Sequence, residues 1–155
     1  MNIGLDKKVC KTVVDHLNLL LAQEFALYIK TLNCHWNVYG KHFGALHLFF
    51  KGQYEELLDI VDDVAERVVT LDGHAAATVI EIHKNTVIPE KAQAHLNDMQ
   101  LITDLMKAHE IVIKQIRKDI DLTVKLNDMG TNNFLCDLIE KHEKMTWMLR
   151  AHIAE

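Results

Sequence analysis

Proline is nearly absent from this chain. One proline and six glycines in 155 residues leave few places where a helix must stop, because proline removes a backbone donor and glycine is a weak helix former. Cysteine is scarce too. Cys10, Cys34 and Cys136 are odd in number and lack zinc-site spacing, which argues for free thiols in a reducing compartment. No apolar run approaches the ~18 residues of a membrane helix, and the N-terminus shows no signal-peptide core. The expected location is the cytoplasm, without membrane contact. Positive charge is in deficit: the formal net charge is −5, which suits attraction of cations and disfavours general polyanion binding. There is no internal repeat and no low-complexity tract.

What is present is a globular composition, 49% hydrophobic and 25% charged. At 17.8 kDa the chain reads as one domain over residues 1–155, large enough to bury about 68–70% of its unfolded surface. Asp6 can cap a first helix running to about Trp36, with Val13, Leu17, Leu20, Leu21, Leu27 and Tyr28 as its buried stripe. Glu24 falls within that stripe and is expected to pair with a lysine or to lie at its edge, since charged residues are almost never fully buried unpaired. A turn at Tyr39–Gly40 leads into a second helix from about Lys41 to Leu71, closed by Asp72–Gly73. A connection of about seventeen residues follows, long for helix–helix loops, with a short helix at Ala75–His83. Pro89 suits the first turn of a third long helix, whose apolar residues at helical spacing are Leu96, Met99, Met106, Ile113, Ile116, Ile120 and Val124. Asn127–Gly130 breaks it, and Thr131 opens a fourth helix through Leu135, Leu138, Ile139, Leu149 and Ile153. The expected architecture is all-α: a one-crossover, ferritin-like four-helix bundle with a short helix in the long middle connection.

The stretch His35–Arg67 carries the chemistry. Wound at ~100° per residue, the second helix places Phe43, Leu46, Phe50, Leu57, Val61, Val64 and Val68 on one core stripe. A different sector holds His47, Lys51, Glu55, Asp62 and Glu66, bordered by Tyr54, Leu58, Ala65 and Val69. A third face, Gly52, Glu56, Asp59, Asp63 and Arg67, looks like solvent. A simple monomeric bundle needs one buried stripe, so the second reads as a subunit interface containing polar chemistry. Asp62 and Glu66, an i, i+4 pair, can reach one cation together. His47 lies fifteen residues earlier, about 22 Å along a helix, whereas metal–ligand bonds to N and O are about 2.0–2.2 Å, as for zinc. His47 and Asp62 of one chain therefore cannot share an ion. A second copy packed antiparallel about a two-fold axis would bring them together, and isologous contacts of this kind are the commonest oligomer interfaces.

HWNVYGKHFGALH, followed at the right distance by DDVAER and near the C-terminus by WMLRAH at Trp147–His152, resembles the Dps family of mini-ferritins. The resemblance extends over nearly the whole chain. It implies a homo-oligomeric shell of twelve subunits and a ferroxidase activity, Fe(II) oxidised by peroxide or oxygen at sites between two-fold related subunits, with ferric mineral stored inside. Carried onto this sequence, His35 and His47 correspond to the histidine ligands of one subunit, and Asp62 and Glu66 to the carboxylates of its neighbour. Trp36 corresponds to the aromatic residue that guards against radicals or passes electrons. Iron is the implied metal, and zinc fits the same donor set. Bundles that hold a di-iron centre within one subunit use Glu-x-x-His pairs, and no glutamate here has a histidine three residues on.

The resemblance has a departure. Four residues after His47 the family usually places an aspartate ligand, and here stands Lys51, an ammonium that repels a cation. It is expected to bridge to Asp62 or Glu66 of the partner subunit, which would weaken oxidation or limit the site to one tight metal position; Glu55 is an alternative carboxylate. Asp128 and Asp137 match acidic residues lining the family's three-fold pores, with Asn133 where aspartate is common; the alternative for Asp128 is an exposed helix cap. His95, His109, His142 and His152 are expected to be structural. Only Lys7, Lys8 and Lys11 precede the bundle, so DNA binding should be weak or absent. The rival to an iron-oxidising cage is a non-enzymatic shell or DNA-compacting protein with a defective site.

Overall fold

The computed structural model of the chain describes residues 3–90 and 96–153, which form α1 (Lys7–Asn37), α2 (Phe43–Thr70), α3 (Val79–Asn85), α4 (Asp98–Lys125) and α5 (Met129–Ile153), with no strand among them. Asp6 caps α1 as its sequence suggests, its side chain accepting from the Lys8 N–H at 2.7 Å. Asp72 and Asn127, both at positive φ, end α2 and α4, and short polar side chains tolerate that conformation best after glycine.

Side-chain pairs fix the helix directions. On α1 and α4, His16 meets Asp119 and Lys30 meets Asp104. On α4 and α5, His109 meets His142 and Thr123 meets Asn132; on α2 and α5, Gln53 meets Met145 and Arg67 meets Thr131. In each pair one number rises as the other falls, so the helices are antiparallel. Because α2 and α4 are both antiparallel to α5, they run parallel to each other, and the chain must return the length of the bundle between them. That return is the connection 71–97, longer than the seventeen or so residues expected, with α3 in it. Two α1 side chains hold it in place. Asn18 Nδ2 donates to the His74 carbonyl while its Oδ1 accepts from Ala76 N–H. Buried Gln23 donates to the Asn85 carbonyl and accepts from Thr86 and Val87. The result is the ferritin-like, one-crossover bundle.

Three boundary expectations change. The short middle helix lies four residues later at its start, where Thr78 and Glu81 form a capping box. Pro89 does not open the third long helix; Asn97 does, through a capping box with Gln100, whose reciprocal bonds satisfy two of the orphan donors of a helix start. The fourth begins at Met129, two residues before Thr131. The buried face of α4 also differs. Its core residues are Leu101, Ile102, Leu105, Ala108, His109, Val112, Ile116, Asp119 and Thr123, and of the expected stripe only Ile116 is fully buried, while Met99 and Val124 are exposed. Three polar residues in the true core stripe disguise it. The α1, α2 and α5 stripes match closely, except that Tyr28 and Ile153 are half-buried and Phe43 is exposed.

Candidate metal centre

The end of α1 and the start of α2 meet across a tight reversal. Val38 closes α1 by donating its N–H to the Cys34 carbonyl. Gly40 then turns the chain at φ 101°, a conformation that L side chains rarely adopt. Phe43 N–H returns to the Gly40 carbonyl at 3.1 Å. This places His35 and His47 face to face, ring centroids 3.8 Å apart and planes 23° from parallel.

Each histidine is held by the other's backbone. His35 Nδ1 lies 2.8 Å from the His47 carbonyl oxygen, and His47 Nδ1 lies 2.9 Å from the His35 carbonyl oxygen. A carbonyl only accepts, so both Nδ1 atoms carry the hydrogen and donate it. With Nδ1 so occupied, Nε2 is the nitrogen each ring has left for a metal, and the Nδ1 hydrogen bond fixes its orientation. The His47 bond also satisfies a carbonyl in the last turn of α1, which has no intrahelical partner. Phe43 stacks on the outer side of His47 at 5.0 Å and Tyr54 meets His35 edge-on at 5.2 Å.

Of the four ligand candidates, the fold brings together the two histidines. His35 is buried and His47 half-buried, while Asp62 and Glu66 are exposed further along α2. Among the described residues of one chain, no group of three or more His, Cys, Asp or Glu side chains is arranged to hold a metal ion. Around this face lie exposed apolar side chains: Trp36 at 68%, Leu48 at 68% and Leu58 at 48% exposure.

Whole-chain comparisons bear on the fold and the family. A model for the ferritin-like domain matches residues 14–155. The DNA protection during starvation protein of Helicobacter pylori (strain J99) is 30% identical over 138 residues, covering 89% of this chain and 96% of that protein. An uncharacterized low temperature-induced protein of Nostoc sp. is 34% identical over 154 residues, 99% of this chain and 86% of that one. The crystal structure of the Dps protein from Vibrio cholerae, described as a member of a broad superfamily of ferritin-like diiron-carboxylate proteins, superposes with a TM-score of 0.94 at 30% identity, covering 99% of this chain and 96% of the other. This chain belongs to the Dps family.

Within this Dps chain, Lys51 pairs one turn forward along its own helix: Nζ is 3.6 Å from Glu55 Oε1, both side chains about half exposed. A pair so exposed is held weakly. It engages the very carboxylate considered as a substitute ligand. Arg67, expected at the solvent face, instead crosses to the start of α5, where its guanidinium donates to Thr131 Oγ1 at 2.9 Å and to Asp128 Oδ1 at 3.4 Å. Asp128 is accordingly a buried cap, 2% exposed, accepting from the Thr131 N–H and hydroxyl. The expected helix cap is thus present but buried rather than exposed, with the Arg67 guanidinium against its carboxylate. Asn133 and Asp137 are exposed on α5.

A polar cluster that sequence reasoning missed sits in the bundle core. Glu24 of α1, His109 of α4 and His142 of α5 are all fully buried. His142 Nε2 lies 3.0 Å from Glu24 Oε1 and His142 Nδ1 lies 3.1 Å from His109 Nδ1. Glu24 thus pairs with a histidine, neither with a lysine nor at the stripe's edge. His109 and His142 do have charged or polar partners, on other helices. Burial, and then the neighbouring His142, hold the His109 imidazole well below the usual histidine range. The clue was there: an acid and two histidines, each at core spacing with buried apolar neighbours on its own helix. His152 is exposed, bonded to the Met148 carbonyl and packed on Phe49; His95 lies outside the described residues.

Proposed function

We propose that this chain is a subunit of an iron-oxidising and iron-storing cage, and that His35 and His47 form half of an oxidation site completed by Asp62 and Glu66 of the partner subunit. The observation that carries the reading is the reciprocal Nδ1–H to carbonyl pair, which spends one nitrogen of each ring on orientation and leaves both Nε2 atoms for Fe(II). An isologous contact would place two such sites per dimer, and the family's shell of twelve subunits is the expected assembly. Exposed apolar groups on α2 and α3, Leu48, Leu58, Val79 and Ile80, support burial against other copies.

The substrate is Fe(II). Imidazole nitrogen and carboxylate oxygen bind it and leave positions open for the oxidant, and the carboxylates stabilise the charge gained as Fe(III) forms. With peroxide, two Fe(II) ions give one electron each, the O–O bond breaks, and two protons complete two waters. Lys51 places an ammonium where the family supplies a ligand, so one iron position is tight and the second weak.

The test is Fe(II) oxidation by peroxide in the assembled protein, followed by ferric absorbance. His47→Ala and Glu66→Ala should each slow oxidation at least about tenfold, the lower range for losing metal-site support, without dissolving the cage. Unchanged rates in both variants would sink the reading in favour of a non-enzymatic shell. DNA binding is expected to be weak, because the net charge of −5 per subunit repels the phosphate backbone.

A further inference from the structure

Among the described residues, every buried side-chain nitrogen or oxygen that lacks a hydrogen bond belongs to one of four residues, one from each long helix. They are both oxygens of Glu24 on α1, Oε1 of Gln53 on α2, Nε2 of His109 on α4 and Nε2 of His142 on α5. Buried polar groups in native folds are nearly always hydrogen-bonded, so their gathering in one core asks for a partner of another kind. Contacts place the four close together. Glu24 and His109 both touch His142, and Gln53 Nε2 donates to the carbonyl of Met145, one turn beyond His142 on α5.

The contact between Glu24 and His142 has the spacing of two ligands on one ion. His142 Nε2 and Glu24 Oε1 are 3.0 Å apart, yet neither atom is aligned for a hydrogen bond. Two donors that each lie about 2.0–2.2 Å from one ion are themselves about 3.0–3.4 Å apart. A carboxylate in an apolar core is either paired or bound to a metal, and the ion-pair contact of Glu24 is this imidazole. On its far side the His142 ring is held by His109, Nδ1 to Nδ1 at 3.1 Å, which leaves Nε2 as the nitrogen for an ion. We propose that the bundle core holds one divalent cation, bound by both oxygens of Glu24, by His142 Nε2 and by Gln53 Oε1, with His109 positioning His142. One nitrogen and three oxygens suit zinc or ferrous iron. With no second carboxylate to bridge, the site takes a single ion, unlike the two-metal centres of carboxylate bundles. The cation ties α1, α2 and α5 together and shares no residue with the proposed interface site.

The experiment produces the full chain carrying His35→Ala and His47→Ala, which disable the proposed interface site, in cells grown with added Zn(II). The ion is then present while the core forms. Elemental analysis of the assembled protein after gel filtration should count about one zinc ion per subunit, and diffraction at the zinc edge should place an anomalous peak between Glu24 and His142. Adding Glu24→Gln, which keeps the shape and removes the charge, should lower the retained zinc at least about tenfold. His109→Leu should release zinc to a chelator at least about tenfold faster, and His109→Gln, which keeps a hydrogen-bonding group beside His142, should not. Zinc retained equally with and without Glu24→Gln, no retained zinc, or an anomalous peak only elsewhere overturns the inference. Should the Glu24→Gln chain fail to assemble, the anomalous map of its parent decides. None of these results touches the interface reading, which is tested by iron oxidation in protein with both histidines intact.

Discussion

Replacing His142 with leucine probes the bundle core most sharply. The side chain is fully buried and touches a carboxyl group at 3.0 Å on one side and an imidazole at 3.1 Å on the other. Leucine fills much of the volume but leaves Glu24 with no polar neighbour, and His109 Nδ1 loses its partner. A buried polar group left without a partner costs about 1–3 kcal/mol, and two are left here, the Glu24 carboxyl and the His109 imidazole, against a total stability of about 5–15 kcal/mol for a domain. The single variant should therefore lose at least about 2 kcal/mol. Adding Glu24→Leu removes the stranded carboxyl group and should recover at least about 1 kcal/mol, since apolar replacement of a whole buried polar pair is often neutral or stabilising. Urea unfolding followed by far-ultraviolet circular dichroism measures both, at fixed subunit concentration because assembly shifts apparent stability. A loss under about 1 kcal/mol, or a double variant weaker than the single, refutes the reasoning. Acid gives an independent check. Folding holds the His109 pKa below the value of 6.5, so beneath that pH the unfolded chain binds a proton the folded chain does not. The stability at stake is complete above about pH 6.5 and falls by up to ~1.4 kcal/mol per pH unit below it. His109→Leu should flatten that slope.

Lys51→Asp should raise both the rate of peroxide-driven Fe(II) oxidation and the iron bound per subunit; no gain in either contradicts the role given to the ammonium. Burial pushes the Cys34 thiol up to about 12, so in the folded protein a thiol reagent at neutral pH should label half-buried Cys10 and Cys136 at least about a hundredfold faster, with Cys34 reacting only on unfolding. Equal rates would contradict that. A gel shift at ~0.1 M salt should show no tight DNA complex.

Long elements with clean periodicity were readable in advance. Three of the four long helices, their order and the crossover follow from apolar spacing, the scarcity of proline and the capping residues. The fourth, α4, misled in two ways. Its start is signalled by Asn97 and Gln100 rather than by the single proline, and its core stripe contains His109, Asp119 and Thr123, so the purely apolar face beside it looked like the core. Pairs across helices were not readable, because Glu24 with His142 and Arg67 with Asp128 join residues more than sixty positions apart. At the candidate centre, spacing and resemblance together pointed to His35 and His47. The backbone carbonyls that set their tautomers could not be read from side-chain patterns, since they depend on how the reversal at Gly40 packs one helix end on another.

The central claim is that one subunit's histidines work with another's carboxylates, and complementation tests it most directly. Co-assembling equal amounts of His47→Ala and Glu66→Ala subunits makes half of the two-fold pairs mixed. Each mixed pair has one site with both residues intact and one lacking both, so about a quarter of all sites should be whole. The account predicts that two nearly inactive variants, mixed before assembly, recover about a quarter of the wild-type rate of Fe(II) oxidation by peroxide. No recovery in verified mixed assemblies would place the site within a single chain and contradict it.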